Sequence, residues 1–342
     1  MAKLSAGDFS RYLVSSSPYG YRPSVLASAI FISIFSLSLV GCLAIAATVS
    51  RGRWLHFTVP VCIACVFEII GYGARIASWT DPWDARRFIV STAFLTVAPA
   101  FVAAGQKIMQ PGGKLRNSAD EQRRIHMTIA KTVPVLGTEH SPVDPSHHEK
   151  LLVVDGLGLV LQAAGLAASF SSPDLDLSTG MGMVGGALVA TGLAAQLLSL
   201  SVSGALFGAV LFRVSAAARE RRHDHAGPGY VTLLGTRVKA FVAVLAISLV
   251  CLSVRGLYAT IAAASGFGVG GLARREALFA GFDGIMVSQA VVGVVAVHPA
   301  RFLDGALKAR ARAPENDITA CRLESRTNSR GLVSWGHMSH FV

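Results

Sequence analysis

Charge is scarce in this chain. Of its 342 residues only 15% are Asp, Glu, Lys or Arg, while 52% are hydrophobic and the mean hydropathy is +0.52. An ordinary soluble domain carries about 25% charged residues, so a soluble globular fold is excluded. Asparagine is scarcer still: Asn117, Asn316 and Asn328 are the whole supply, and none opens an N-x-Ser/Thr glycosylation acceptor. The five cysteines (Cys42, Cys62, Cys65, Cys251 and Cys321) lie in apolar runs or in the tail, which argues against a disulfide framework. Cys62 and Cys65, three apart in an apolar run, read as packing side chains rather than as a redox or metal pair. No signal peptide is expected, because the opening 24 residues are polar and the first apolar run is too long for an h-region.

Other absences narrow the function. No G-x-x-x-x-G-K-[ST] loop occurs, so neither a nucleotide nor an ATP-driven pump is expected. No lysine lies between Lys239 and Lys308 to carry retinal in a last helix. The histidines sit in loops and tail, apart from His298, which leaves no zinc-hydrolase set. Neither a catalytic constellation nor a cofactor or metal site is expected.

What the chain has is apolar runs. A bilayer core needs about 20 apolar residues in a helix, and seven runs qualify: 25–49, 57–78, 88–107, 151–170, 184–212, 238–263 and 278–297. The expected fold class is therefore all-α, a polytopic membrane protein built as a seven-transmembrane-helix bundle. It divides into a short N-terminus (1–24), a transmembrane domain (25–299) and a polar tail (300–342) read as disordered. Polar stretches 108–150 and 213–237 are the main expected loops. Pro99 in the third run removes one backbone hydrogen bond and should kink that helix.

The net charge of +11 invites a nucleic-acid reading, but its placement argues against one. With the N-terminus outside, the inner segments hold 22 Lys and Arg and the outer segments seven. The positive-inside rule then gives N outside and C inside, and the basic inner loops face anionic lipid headgroups. A multi-pass integral protein of the plasma membrane or an endomembrane follows, with membrane lipids as partners and no nucleic acid; nothing in the sequence fixes its oligomeric state.

Several charges remain inside the spans. Glu68 and Arg75 lie seven residues apart on one helix face, about 10.5 Å along the axis, too far to pair with each other. Asp155 lies near the inner end of the fourth span, Arg255 in the outer half of the sixth, and Asp283 and Glu276 at the start of the seventh. By depth Arg255 matches Asp283 or Glu68, and Arg75 matches Glu276. Gln162 shares a face with Asp155, and Gln196 sits near the midplane of the fifth span. Each unpaired charge near mid-bilayer costs about 2.5–3.5 kcal/mol, so these groups must face a bundle interior or a wet cavity. Two readings stay open: ion pairs that lock helices together, and a polar site or pathway for a headgroup.

The order of these residues resembles one family, the fungal lipid-translocating exporters (RTA-like), which include the 7-aminocholesterol-resistance and sphingoid long-chain-base resistance proteins. YRPSVLASAIF at Tyr21–Phe31 resembles the family's Y-x-P-S opening, and FEIIGYGAR its E-x-x-G-Y-x-x-R signature through Glu68, Gly71, Tyr72 and Arg75. VAPAFVAA resembles its A-P-A-F motif at Pro99, DGLGLVLQAAG its fourth-helix stretch from Asp155, and Gly192, Leu193 and Gln196 its G-L-x-x-Q. Arg255, Glu276, Asp283 and the His298-Pro299 pair fall where the family has polar residues in its last two helices. Ser28 and Gly158 depart from the usual Asn and Ser. So does 106–150, which reads as an unusual cytoplasmic insertion or as a gene-model error.

The resemblance implies a role in moving or releasing amphipathic lipids such as sphingoid bases or sterol-like amines, or in resistance to toxic ones. The expected intramembrane polar site is Glu68, Arg75, Asp155, Gln162, Gln196, Arg255, Glu276 and Asp283. Its acidic members are consistent with a cationic amphiphile. The competing reading is a seven-helix lipid sensor that signals through its cytoplasmic loops.

The charge asymmetry predicts that a glycosylation acceptor fused after Val342 stays unmodified, while one placed before residue 17 is modified. The reverse pattern in a mobility-shift assay would overturn the orientation.

Overall fold

The computed structural model describes residues 17–50, 54–109, 146–171, 180–223, 236–265 and 274–302. The expected loop stretch 110–145 and the tail beyond 302 lie outside the described residues. Seven helices are long and apolar enough to cross a membrane, and among the described residues there is no strand. Helix α1 spans Val25–Ile45 and runs on through a π-helical turn, Ala46–Ser50; α2 is Leu55–Ala77, α3 Ala85–Met109 and α4 Ser146–Phe170. Helix α5 is Gly180–His223 and α6 Thr236–Ala264. The seventh, α7, opens at Glu276–Phe279, passes through a π-helical turn at Ala280–Ile285 and continues as Met286–Ala296, before a short closing helix, Pro299–Phe302. The protein is a multi-pass membrane protein.

The YRPS opening has a direct local cause. Pro23 cannot extend a helix backwards, and Ser24 caps α1, its hydroxyl accepting from the Ala27 amide at 3.3 Å. The Ser24 amide in turn donates to Glu276 Oε1 at 2.6 Å, so the start of α7 holds the start of α1. Each helix packs on its sequence neighbour, α1 packs on α7 to close the bundle, and α3 reaches across to α6 and α7.

Part of the expected loop 213–237 is helix, and its residues 224–235 lie outside the described residues. Residues 213–223 continue α5, which reaches 44 residues, about 66 Å at 1.5 Å per residue. The run RVSAAARERRH is polar but contains no Gly or Pro, and its Ala, Arg and Glu favour helix; a polarity count sees only the end of the membrane span. Helix α4 likewise starts at Ser146, before the first apolar residue of its span.

Packing rests on two kinds of contact. Aromatic and branched side chains of α1, α2, α3, α6 and α7 form the main core, with Tyr72 stacked on Phe31 at 4.9 Å and near Phe35 at 6.2 Å between centroids. Helices α4 and α5 instead meet along small and polar residues: Asp155, Gly158, Gln162, Gly165 and Ser169 against Gly185, Val189, Gly192, Gln196 and Ser199. A Cβ on Gly165 would lie 2.6 Å from the Gly185 carbonyl oxygen and 2.7 Å from the Val189 amide, and one on Gly192 2.5 Å from the Gly158 carbonyl oxygen. Small residues are what let two backbones approach in a membrane, where no hydrophobic force drives helices together. Outward, Leu37 is 75% and Leu198 67% exposed, as befits surfaces solvated by lipid.

Gly165→Ala is expected to lower stability by about 1–3 kcal/mol through overpacking, read as a lower melting temperature in detergent. Gly156→Ala, whose added Cβ meets nothing within 4 Å, should melt like the parent. Equal melting of the two variants would show that α4 and α5 do not pack this closely.

Candidate functional site

Pro99 creates the first feature of the site. A helix residue normally donates its amide to the carbonyl four residues back; Pro99 has no amide hydrogen, so the Leu95 carbonyl is left without its partner. Arg255 of α6 takes that vacancy, Nη2 donating to Leu95 O at 2.8 Å, while its Nε donates to Asp283 Oδ1 at 2.7 Å. One guanidinium thus ties α3, α6 and α7 together. Asp283 sits in the π-helical turn of α7, a local widening of the kind often found at functional sites. Its Oδ2 has no hydrogen-bond partner among the described residues, and neither has either oxygen of Glu68, which is fully buried. Asp283 and Arg255 are the charges that act on Glu68. The expected pairing of Arg255 with Asp283 is therefore present, with Glu68 beside it.

The expected pairing of Arg75 with Glu276 is not. Glu276 is turned to the Ser24 amide, an acceptor's task at a helix start that a depth argument between spans does not weigh. Arg75 instead donates from Nη2 to the Tyr21 hydroxyl at 2.7 Å and lies over the Phe279 ring at 4.2 Å, with the Tyr19 ring at 5.3 Å. Tyr21 precedes the first span. Burial raises its phenol above the ordinary value, opposed by the neighbouring Arg75, so the hydroxyl accepts from Arg75 and keeps its own proton. Tyr19 is fixed by Ser78, hydroxyl to hydroxyl at 3.2 Å, and by Phe88, edge-on at 4.9 Å.

Asp155 belongs to a third group. It pairs with Lys107 at 2.5 Å, and Lys107 Nζ also donates to Ser199 Oγ at 2.7 Å. The Ser199 hydroxyl donates to Leu151 O, and Gln196 Nε2 donates to Asp155 O at 3.4 Å. Lys107, counted from sequence with the polar loop, is buried in the last turn of α3. The available signal was its place at the end of the third apolar run, level with Asp155 on an adjacent antiparallel helix. Gln162 is fully buried at the α4–α5 contact, and its amide has no partner among the described residues. His298 accepts the Ala300 amide on Nδ1 and meets Thr58 Oγ1 through Nε2 at 3.3 Å, which joins the end of α7 to the start of α2.

Two cavities lie among these groups. One of about 90 Å³ is walled by Tyr19, Tyr21, Arg75, Tyr258, Asp283 and Arg255, with Ser91, Thr92 and Thr96 on the α3 side. The other, of about 40 Å³, is walled by Asp155, Gln196, Pro99 and Arg255. Arg255 and Leu193 line both. Of the eight expected site residues, Arg75, Arg255 and Asp283 face the larger cavity and Asp155, Gln196 and Arg255 the smaller. Glu68, Gln162 and Glu276 line neither. Among the described residues no group of three His, Cys, Asp or Glu could hold a metal ion.

A family model described as RTA1 like protein matches residues 61–109 and 122–306. The match includes the signature from Glu68 to Arg75, the Pro99 segment and the polar residues of α4 to α7. It begins after the YRPS opening and breaks only at 110–121, so most of 106–150, expected to depart from the family's pattern, lies within the matched residues. No curated protein and no solved structure matches the chain.

Removing one partner of a buried pair typically costs about 3–5 kcal/mol, so Arg255→Ala should reduce folded protein sharply. Pro99→Ala restores an amide for Leu95 O and should recover part of that loss, about 1 kcal/mol. Strictly additive effects in a double-mutant cycle of melting curves would break the link between the proline and the arginine.

Proposed function

The chain belongs to the RTA1-like family, and from that premise we propose that it translocates amphipathic lipids, the sphingoid-base class among them, by passing the headgroup along the bundle interior. The observation that carries this reading is the pair of cavities with a common wall at Arg255 and Leu193. The two cavities lie on either side of that wall, each with polar side chains among its lining residues. A headgroup can be desolvated in the larger cavity among tyrosines, hydroxyls and charges while its hydrocarbon tail stays in the surrounding lipid. To pass, it must displace Leu193 and engage the Arg255–Asp283 pair. Lys107, Asp155 and Gln196 then offer polar contacts on the other side. With the orientation given by the charge count, the larger cavity lies toward the outer face and the smaller toward the inner one. No bond is made or broken in the lipid, so the reading is non-enzymatic.

A second reading, a lipid sensor, draws on α5. The helix that carries Leu193 at the wall continues unbroken to His223, a rigid rod from the cavity into the polar region. A sensor would pass a change at the wall along that rod without moving lipid.

Flux separates the two. Cells that express the protein should export a labelled long-chain base several-fold faster than cells without it. Leu193→Trp, which fills the wall, should cut export with little loss of protein from the membrane. Export unchanged by expression, together with a cytoplasmic response to the lipid, would favour the sensor.

A further inference from the structure

The sequence's surplus of buried acids favours a cationic headgroup, but those acids are spoken for. Asp155 is paired with Lys107, Glu276 holds the Ser24 amide, and Glu68 lines neither cavity. The strongly ionised groups that wall the larger cavity are Arg75, Arg255 and Asp283: two cations and one anion. Arg255 and Asp283 neutralise each other at 2.7 Å. Arg75 is left over. It is 5% exposed, and among the described residues its one hydrogen bond is to a phenol and no carboxylate pairs with it. A guanidinium carries five N–H donors in a planar fork. One goes to Tyr21 and the ring of Phe279 covers a face, so donors in the plane of the fork have no acceptor. A buried cation without a counter-anion is costly, and a fork of this shape matches the oxygens of a phosphate.

The other walls agree. The Tyr21 hydroxyl accepts from Arg75 and so has its own proton to give. Ser91, Thr92 and Thr96, each with a hydroxyl, line the same space. An ammonium would call for an uncompensated acid and open aromatic faces. The one carboxylate on the wall, Asp283, is compensated by Arg255, although its Oδ2 has no donor among the described residues. Here the ring of Phe279 and those of Tyr19 and Tyr21 are already occupied by the protein's own Arg75.

We propose that the larger cavity is a phosphate site, in which Arg75 and the Tyr21 hydroxyl receive the phosphate of an amphiphile's headgroup. This rests on the lipid-translocation reading and specifies its substrate as a phosphorylated amphiphile rather than a simple amine. The test uses the full-length protein in nanodiscs of neutral lipid and two probes that differ only in the phosphate, sphingosine and sphingosine 1-phosphate, followed by equilibrium binding. Sphingosine 1-phosphate should bind about tenfold more tightly, the scale of about 1.4 kcal/mol expected of a charge-assisted contact. Arg75→Gln should remove that preference, the two probes then binding alike. Tyr21→Phe, which deletes one hydroxyl outside the spans, should reduce it several-fold and serves if Arg75→Gln does not fold. Inorganic phosphate at the same concentration should not displace the lipid; displacement of equal strength would mark a free-anion site and overturn the assignment. Equal binding of the two probes, or tighter binding of sphingosine, would overturn the phosphate site while leaving lipid translocation standing. Failure of both probes to bind would remove both.

Discussion

The bundle depends on one guanidinium meeting one missing amide. Pro99 leaves the Leu95 carbonyl unbonded, and a bare carbonyl in a membrane interior costs several kcal/mol unless something donates to it. Arg255 donates, and its charge is compensated by Asp283. Neither solution works alone: the arginine without Asp283 would be an uncompensated buried charge, and the proline without Arg255 an orphaned acceptor. Helices α3, α6 and α7 are thereby fixed at the point where both cavities end. The proline is thus part of the site, by way of the carbonyl it frees.

Around this junction the helices solve two different packing problems. On the side of α1, α2 and α7 large rings fill the space, with Tyr72 stacked on Phe31. On the side of α4 and α5 side chains are nearly dispensed with, and backbones touch through Gly158, Gly165, Gly185 and Gly192. The second solution brings Gln196 and Ser199 close to Asp155 and gives Lys107 a ready set of acceptors. Gln196 and Ser199 find partners at this contact, whereas the Gln162 amide and the Ser169 hydroxyl have none among the described residues.

Much of this was legible in the sequence. Apolar length located all seven spans, because a helix that crosses a bilayer has no other way to satisfy its backbone. The cost of buried charge placed Glu68, Arg75, Arg255 and Asp283 inside, and depth matched Arg255 to Asp283. Depth failed where the acceptor or donor came from a connector. Tyr21 and the Ser24 amide precede the first span, so matching charges between spans could not find them; they claimed Arg75 and Glu276. Polarity failed for α5, since a polar helix beyond the membrane looks like a loop to a hydropathy count. Lys107 was hidden by the same rule in reverse, as a charge at the end of a span counted with the loop that follows.

The unmet acceptors bear on whether the charges are a lock or a site. Both oxygens of Glu68 and Oδ2 of Asp283 have no donor among the described residues, and all lie near a single guanidinium. A cluster whose sole task is to hold helices has every reason to satisfy its acceptors, because a half-satisfied buried network is worse than an apolar one. Under the translocation proposal, these unmet acceptors leave the junction able to exchange partners. The same excess makes little sense in the Lys107–Asp155 group, and there it is absent: Lys107 serves both Asp155 and Ser199, and Ser199 and Gln196 each find a backbone carbonyl. The two polar groups differ in this respect, although buried amides without partners among the described residues also occur away from the junction, at Gln106 and Gln162.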